Sequence, residues 1–165
     1  MLYNGVSGSL EDWLDLGNVD AFKDDYEVIL IDSRGHGGSA GPREPESYSN
    51  ELHVGDIVAV LNALKIVRTH YFGYSWGGWF GFGLLQFEPE RLLSMVIGGM
   101  SPYKPSDEFI DALAAKFSDG IEAALALREE ASGERLPEPR RSRCQMPSFN
   151  LWQEWSMVPR YLELI

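Results

Sequence analysis

The sequence predicts an α/β protein built on a doubly wound parallel sheet. Short apolar runs typical of buried strands alternate with helical periodicities over residues 1–100. One of these runs, at residues 27–32, is continuously apolar, which indicates a strand covered on both faces. With 44% apolar and 24% charged residues in a chain of 165, the composition is typical of one globular domain.

Residues 9–22 carry the signals of a first helix. Ser9 can cap its first turn, and Asp12 follows three residues later, as in a capping box. Trp13 begins a series of apolar side chains at helical spacing. The run that follows, EVILID at residues 27–32, is continuous and apolar and predicts a strand.

The next strand–helix units follow the same pattern. Residues 33–47 are rich in Gly, Pro and polar side chains and predict a loop, whereas residues 49–64 predict a helix. A strand at residues 68–73 passes directly into a helix that Pro89 ends, and a further strand covers residues 92–97. Strands that alternate with helices imply right-handed crossovers, so the sheet should be parallel.

Beyond residue 100 the pattern becomes helical. Residues 107–117 and 119–130 predict two helices, and the Arg- and Pro-rich residues 133–147 predict an exposed connection. We therefore divide the chain into a core at residues 1–100 and an incomplete helical cap or lid at residues 101–165.

The net charge and the cysteine content limit the classes of partner and the cellular compartment that the sequence predicts. Fourteen basic and 25 acidic residues give a formal charge of -11, which disfavours nucleic acid and anionic lipid as partners. The single Cys144 has no second thiol for a disulfide or a metal site. The sequence has no membrane-spanning apolar run and no signal-peptide pattern, so we predict a cytoplasmic protein that binds neither membrane nor nucleic acid. The sequence contains no metal-ligand cluster, no phosphate-cradling loop and no dinucleotide fingerprint, so we predict no cofactor.

The strongest chemical signal is the GxSxG pattern GYSWG at residues 73–77, which follows a predicted strand and opens a predicted helix. Such a tight turn strains the backbone at Ser75 and tolerates only very small residues at Gly73 and Gly77. It presents the Ser75 hydroxyl at a helix N-terminus, where the Trp76 N–H can stabilise a developing oxyanion. We predict Ser75 as a nucleophile, in preference to a plain glycine-rich turn.

Two further motifs make the sequence resemble the α/β-hydrolases, in particular the lid-bearing branch of esterases, lactonases, C–C bond hydrolases and cofactor-free haloperoxidases. DSRGHGGS at residues 32–39 is similar to the family's DxRGxGxS loop. NGVSGS at residues 4–9 resembles its HGxxGS oxyanion loop, with Asn4 where the family usually has histidine. The resemblance implies that the Val6 N–H is the second oxyanion donor, because a backbone group does not depend on the Asn4 side chain.

The resemblance also implies missing parts. Two further strands are expected before the oxyanion loop, and two strand–helix units carrying the catalytic acid and histidine are expected after the lid. By this comparison the sheet is partial and the chain is truncated at both ends.

None of the three histidines is predicted to replace the missing base. His70 lies within a strand, and His53 lies on a helix remote from the strand ends. His36 lies at the correct edge of the sheet, but in the family's strand order it is two strand spacings, about 10 Å, from the nucleophile. We interpret it as a loop-organising residue with Arg34, in preference to a base.

The leading hypothesis is therefore a serine hydrolase that forms an acyl-enzyme with a small ester-like or related carbonyl substrate, with little activity in this chain. Serine at position 75, in the strand-to-helix turn that we call the elbow, argues against epoxide-hydrolase and dehalogenase chemistry, which the family performs with a carboxylate nucleophile. Two alternatives stay open: a non-catalytic remnant that binds a ligand or partner, and an incomplete coding sequence. For the non-catalytic remnant, unpaired strand edges favour self-association or pairing with a partner.

Overall fold

The computed structural model describes residues 1–103, 106–116, 126, 129–130 and 133. The predicted helix at residues 119–130 and the predicted connection at residues 133–147 lie almost wholly outside this part of the chain, as does Cys144.

A four-stranded parallel sheet forms the centre of the described structure. Its strands are β1 (Leu2–Tyr3), β2 (Leu30–Ile31), β3 (Thr69–Tyr74) and β4 (Leu92–Gly98), and their spatial order is β2-β1-β3-β4. All neighbouring pairs are parallel, as the alternation of strands and helices predicts. The predicted strand at residues 27–32 shortens to two residues, because its one partner in the described sheet, β1, pairs over two residues only.

Five α-helices and two short 3-10 helices surround the strands in the described residues. The α-helices are α1 (Leu10–Asp15), α2 (Asn18–Phe22), α3 (Asn50–Ala63), α4 (Trp76–Phe87) and α5 (Asp107–Lys116). The 3-10 helices are Pro45–Tyr48 and Pro89–Arg91. No helix of the described residues is both long and apolar enough to cross a bilayer.

The prediction of one helix over residues 9–22 is wrong at its centre. Gly17 has a φ of 74° and divides the segment into α1 and α2. A left-handed glycine at this position ends the first helix, which a count of apolar residues does not reveal. The start is predicted correctly, since the Ser9 N–H donates to Asp12 Oδ2 at 2.9 Å.

The main core lies between one face of the sheet and the pair α3 and α4. Its fully buried side chains include Tyr3, Ile57, Leu61, Tyr71, Phe80 and Leu84. Tyr71 faces α4, since its hydroxyl donates to the Gly77 carbonyl at 2.6 Å. We call this side of the sheet the covered face.

The opposite side of the sheet is only partly covered. Trp13 packs against Phe72 with ring centroids 5.4 Å apart, but much of β3 and β4 beyond this contact is exposed. Tyr74 is 55% exposed and Val96 58% exposed. We call this surface the uncovered face. It is formed by His70, Phe72, Tyr74, Leu93, Ser94 and Val96.

Candidate active site

Ser75 occupies a sharp turn between β3, which ends at Tyr74, and α4, which begins at Trp76. Its backbone angles are φ 52° and ψ −118°, a combination that L-residues rarely adopt and that is held only when the surroundings impose it. The Ser75 N–H donates to the Gly98 carbonyl at 2.7 Å and so ties the turn to the end of β4. The strained backbone predicted for a strand-to-helix elbow is therefore present.

Steric contacts explain the two glycines of the elbow. A Cβ atom at Gly73 would collide with the Gly77 carbonyl, and one at Gly77 would collide with the Tyr3 carbonyl. Backbone atoms cannot give way as a flexible side chain can. The start of α4 can therefore pack this closely against the ends of β3 and β1 only because both positions lack a side chain.

The helix N-terminus at the elbow presents a free donor. The Gly78 N–H and the Trp79 N–H both donate to the Ser75 carbonyl, at 2.8 and 3.3 Å. Within the described residues no hydrogen bond uses the Trp76 N–H, as expected for the first residue of a helix. This N–H and the helix dipole both favour negative charge beside Ser75.

The loop that follows β1 lies directly against Ser75. A Cβ atom built on Gly5 would be 2.9 Å from Ser75 Cβ and 3.4 Å from Ser75 Oγ. The Gly8 N–H donates to the Gly5 carbonyl at 3.2 Å. Because the N–H and C=O of one trans peptide point in opposite directions, this bond turns the Val6 N–H away from Gly8. No hydrogen bond in the described part of the chain uses that N–H.

Two side chains of the loop after β2 hold this first loop. His36 Nε2 accepts the Ser7 N–H at 3.1 Å. Asp32 accepts the Leu10 N–H at 2.8 Å through Oδ1 and the Gly38 N–H at 2.8 Å through Oδ2. The two loops meet because β1 and β2 are neighbours and parallel, so their carboxyl ends lie at one edge of the sheet.

Ser7 is the strained residue of the first loop, with a φ of 61°. A non-glycine residue in the left-handed region costs about 1 to 2 kcal/mol. A buried hydrogen bond of the kind that Ser7 makes with His36 contributes about 0.5 to 1.5 kcal/mol, which is enough to offset much of that cost. Asn4 supports the same loop, because its side-chain amide donates to the Ser9 carbonyl.

His36 uses both ring nitrogens inside the protein. Nε2 accepts from Ser7, and Nδ1 lies 3.0 Å from Ser33 Oγ and 3.2 Å from the Arg34 carbonyl. Burial lowers the pKa of His36, against the smaller raising effects of the Arg34 carbonyl and the Asp32 charge. The contacts agree with a loop-organising role, although the main loop that His36 organises is the one after β1.

The other two histidines also lack a bond to Ser75. His53 is fully buried, its Nδ1 lies 2.9 Å from the Ser49 carbonyl, and its ring stacks on Phe80 at 3.9 Å. Burial lowers the pKa of His53 to about 4. His70 is exposed on the uncovered face and its Nδ1 lies 2.8 Å from Ser94 Oγ. Over the described ranges no group of His, Cys, Asp or Glu side chains could hold a metal ion.

The link between the two loops is the feature that sequence reasoning missed. The signal was present: Asp32 and His36 follow one strand, and Ser7 follows another that the family's order makes its neighbour. Which of the many polar groups in these loops would pair depends on a register that no local pattern reports.

A family model described as the alpha/beta hydrolase fold matches residues 1–159. The chain belongs to this family. The match covers the elbow, the loop after β1 and the loop after β2 together, which agrees with the parallel sheet and its strand order.

Known relatives of this α/β-hydrolase differ in their reactions. A Bacillus subtilis (strain 168) protein with the provisional name 2-succinyl-6-hydroxy-2,4-cyclohexadiene-1-carboxylate synthase is 31% identical over 152 residues, which are 85% of this chain and 54% of that protein. Bifunctional epoxide hydrolase 2 of Sus scrofa is 34% identical over 82 residues, which are 50% of this chain and 15% of that one. The chain therefore spans about half of the first relative and less of the second.

A solved structure shows the same fold. The crystal structure of a hydrolase from Pseudomonas aeruginosa PA01 superposes with a TM-score of 0.69 at 24% identity, over 95% of this chain and 62% of that one. At this level of identity the likeness concerns the fold.

Proposed function

We propose that this chain carries the nucleophile and the oxyanion hole of a serine hydrolase that acts on a small ester-like or related carbonyl substrate. Ser75 is the nucleophile, and the Val6 and Trp76 N–H groups are the oxyanion donors. The observation that carries the proposal is the strained Ser75 backbone, with a φ of 52°, held between a helix N-terminus and the loop that bears Val6.

The reaction would proceed through an acyl-enzyme. Ser75 Oγ attacks the carbonyl carbon and gives up its proton to a base, and the carbonyl electron pair moves to the oxygen, which the two N–H groups stabilise. Collapse of this intermediate breaks the ester C–O bond, the leaving oxygen takes the proton from the base and departs as the alcohol, and the acyl group stays on Ser75. Water then attacks the ester carbon, and the acid is released as Ser75 regains its proton.

The base is the element that the described residues do not supply. All three histidines bond to other groups, as given above, and a serine hydroxyl without a base is a weak nucleophile at neutral pH. An oxyanion hole alone retains a small part of the rate enhancement. We therefore expect slow acylation by activated esters and slower deacylation in this chain, with substrate choice left to the predicted lid.

The relatives do not decide the substrate. The pig relative is named an epoxide hydrolase and the Bacillus relative a synthase, so one family supports several reactions. Serine at position 75 disfavours epoxide opening, which the resemblance assigns to a carboxylate nucleophile. A carbonyl compound is the substrate class that a serine beside two N–H donors fits.

The direct test is hydrolysis of p-nitrophenyl acetate and butyrate by the chain and by its Ser75→Ala variant, with the acylated residue located by peptide mass mapping. We expect an acyl adduct on Ser75 and a nitrophenol release that the variant lacks. Equal release by both proteins, with no adduct on Ser75, would contradict the proposal.

A second candidate is a non-catalytic module that associates through its sheet. The uncovered face favours it, since Val96 is 58% exposed in β4, an edge strand of the described sheet, and unpaired strand edges bind other strands. Light scattering across a hundredfold range of concentration tests this reading. A mass that rises with concentration supports self-association, and a constant monomer mass contradicts it. Cytoplasmic location and the lack of a nucleic-acid or membrane partner remain predictions from the sequence.

A further inference from the structure

We infer that His36 is a positioning residue for the reaction, because its Nε2 lone pair holds the turn that carries the proposed oxyanion donor Val6. The inference rests on the proposed function and assigns a role to a residue that does not touch the substrate. His36 acts through its hydrogen bond with Ser7. Four observations carry it, namely the type of turn, the tautomer of the imidazole, the burial of the ring and the position of Gly5 against Ser75.

The turn from Gly5 to Gly8 has two alternative forms. The Gly8 N–H donates to the Gly5 carbonyl at 3.2 Å, and the third residue, Ser7, has a φ of 61°. A positive φ at the third residue is the mark of a type II turn, where glycine or asparagine is usual. The common type I turn would give Ser7 a negative φ and would rotate the peptide between Val6 and Ser7 by about half a turn.

His36 selects the rarer form. The peptide that distinguishes the two turns is the one that carries the Ser7 N–H, and that N–H donates to His36 Nε2 at 3.1 Å. In the type I form the Val6 carbonyl would point towards the same Nε2, and two acceptors would face each other. A serine at this position does not favour a positive φ by itself, so the preference comes from the other loop.

Two of the three partners of His36 also define its tautomer, because each can act in one direction only. A backbone N–H can only donate, so Nε2 carries the lone pair. Nδ1 then carries the proton of the neutral ring and donates to the Arg34 carbonyl, 3.2 Å away, which can only accept. The ring is 1% exposed and lies 5.9 Å from the Trp76 ring, measured between centroids. His36 is therefore packed in one orientation, bonded to Ser7 next to the proposed donor Val6 and in contact with the Trp76 ring.

Fixing this turn matters because the loop contacts the nucleophile. The Gly5–Val6 peptide contains the proposed donor N–H, and a Cβ at Gly5 would be 3.4 Å from Ser75 Oγ. Donors act in catalysis when they point at the developing charge before the reaction starts. The two turn forms differ in the Val6–Ser7 peptide, which directly follows the donor peptide. The bond from Ser7 to His36 therefore supports the donor peptide from its carboxyl side. Without this bond the loop can shift against Ser75, so loss of the His36 acceptor should slow acylation more than it weakens substrate binding.

The first experiment measures the hydrogen bond itself in the ¹⁵N-labelled full chain. We expect a scalar coupling between the Ser7 amide nitrogen and His36 Nε2, with a proton on Nδ1 only. A protonated Nε2 would overturn the inference. So would the lack of this coupling in a spectrum that resolves the couplings within the imidazole rings. This readout does not depend on any turnover by Ser75.

The second experiment compares His36→Leu, which removes the acceptor, with His36→Gln, whose side-chain carbonyl can reach the Ser7 N–H. We expect His36→Leu to lower the rate of Ser75 acylation by p-nitrophenyl butyrate by at least about tenfold, with the half-saturating ester concentration changed by less than about twofold. His36→Gln should recover most of that rate. His70→Gln, at an exposed position remote from the loop, serves as the matched control and should keep the wild-type rate.

The outcomes separate the two levels of the argument. Wild-type acylation by a folded His36→Leu, or equal losses in His36→Leu and His36→Gln when both melt as cooperatively as the wild type, would overturn the positioning role and leave the proposed function standing. Wild-type protein that acquires no adduct on Ser75 contradicts the proposed function and the positioning role together, and the nitrogen coupling then decides only whether His36 holds Ser7. If His36→Leu does not fold, recovery of both folding and acylation in His36→Gln supports the inference, and folding without acylation contradicts it.

Discussion

The two faces of the sheet differ in what lies on them, although both are formed by the same strands. On the covered face, α3 and α4 bury side chains such as Phe80 and Leu84 completely. On the uncovered face, α1 and α2 reach only part of the surface, and Leu93 of β4 remains 48% exposed. An apolar strand therefore predicts that a residue can be buried, and the neighbouring elements decide whether it is.

The largest expected contrast is between two leucines with the same chemistry. Leu84→Ala leaves a cavity in the core and should lower the free energy of unfolding by about 2 to 5 kcal/mol. Leu93→Ala removes a half-exposed side chain and should change it by less than about 1 kcal/mol. Urea unfolding followed by circular dichroism measures both. Equal losses would mean that β4 is covered in solution.

A contrast nearly as large is expected in the pH dependence of the covered face. The pKa of His53 is about 4 in the fold against the ordinary value of 6.5, so the unfolded chain takes up a proton that the folded chain does not between these values. Stability is therefore fully present above pH 6.5 and falls as the pH drops towards 4, by about 3 kcal/mol from this group. Buried His36, whose pKa is also lowered, adds to the same trend.

His53→Phe tests this assignment, because a phenyl ring can keep the stacking on Phe80 without taking up a proton. The Ser49 carbonyl keeps its bond from the N–H of residue 53, which is 3.2 Å long. Free energies of unfolding at intervals between pH 4 and 7 should decline less steeply in the variant. An unchanged slope would show that the acid sensitivity comes from other groups.

A substitution on the uncovered face should change the self-association of the protein and not its free energy of unfolding. Val96→Lys places a charge on the exposed part of β4 and should suppress any concentration-dependent association while changing the free energy of unfolding by less than about 1 kcal/mol. Sedimentation velocity at several concentrations measures the first quantity and thermal unfolding the second. Association that persists in the variant would point to another surface.

The last contrast concerns two glycines, one in the site and one on a helix, and the helix position gives the smallest expected effect. Gly55 lies in α3 with open space around its Cα, so Gly55→Ala should stabilise the fold by about 0.5 to 1 kcal/mol. Gly5→Ala would place a Cβ 2.9 Å from Ser75 Cβ, so the loop or the turn at Ser75 must shift. The substitution should lower acylation of Ser75 and cost about 1 to 3 kcal/mol in the free energy of unfolding. A Gly5→Ala protein that is acylated at the wild-type rate would separate this loop from the proposed chemistry.

The elbow could be predicted from the sequence because its causes are local. Within five residues a strand ends, a helix begins and two glycines allow close packing of the backbone. The structure has Ser75 between these glycines, at a φ of 52°. The α/β class and the bounds of α3, β3 and α4 follow from periodicity for the same reason, since each pattern reports a single element. The break at Gly17 was missed because apolar spacing does not register a left-handed residue.

Contacts between distant segments were decided by the tertiary structure. His36 and Ser7 are 29 residues apart, and Asp32 and Leu10 are 22 apart, and they meet only because β1 and β2 pair in one register. The same applies to the two faces of the sheet, since β3 and β4 present apolar side chains such as Tyr71 and Ile97 to one face and Phe72 and Val96 to the other. Hydrophobicity and turn chemistry are properties of a segment, whereas burial and long-range hydrogen bonds depend on which segments the fold brings side by side.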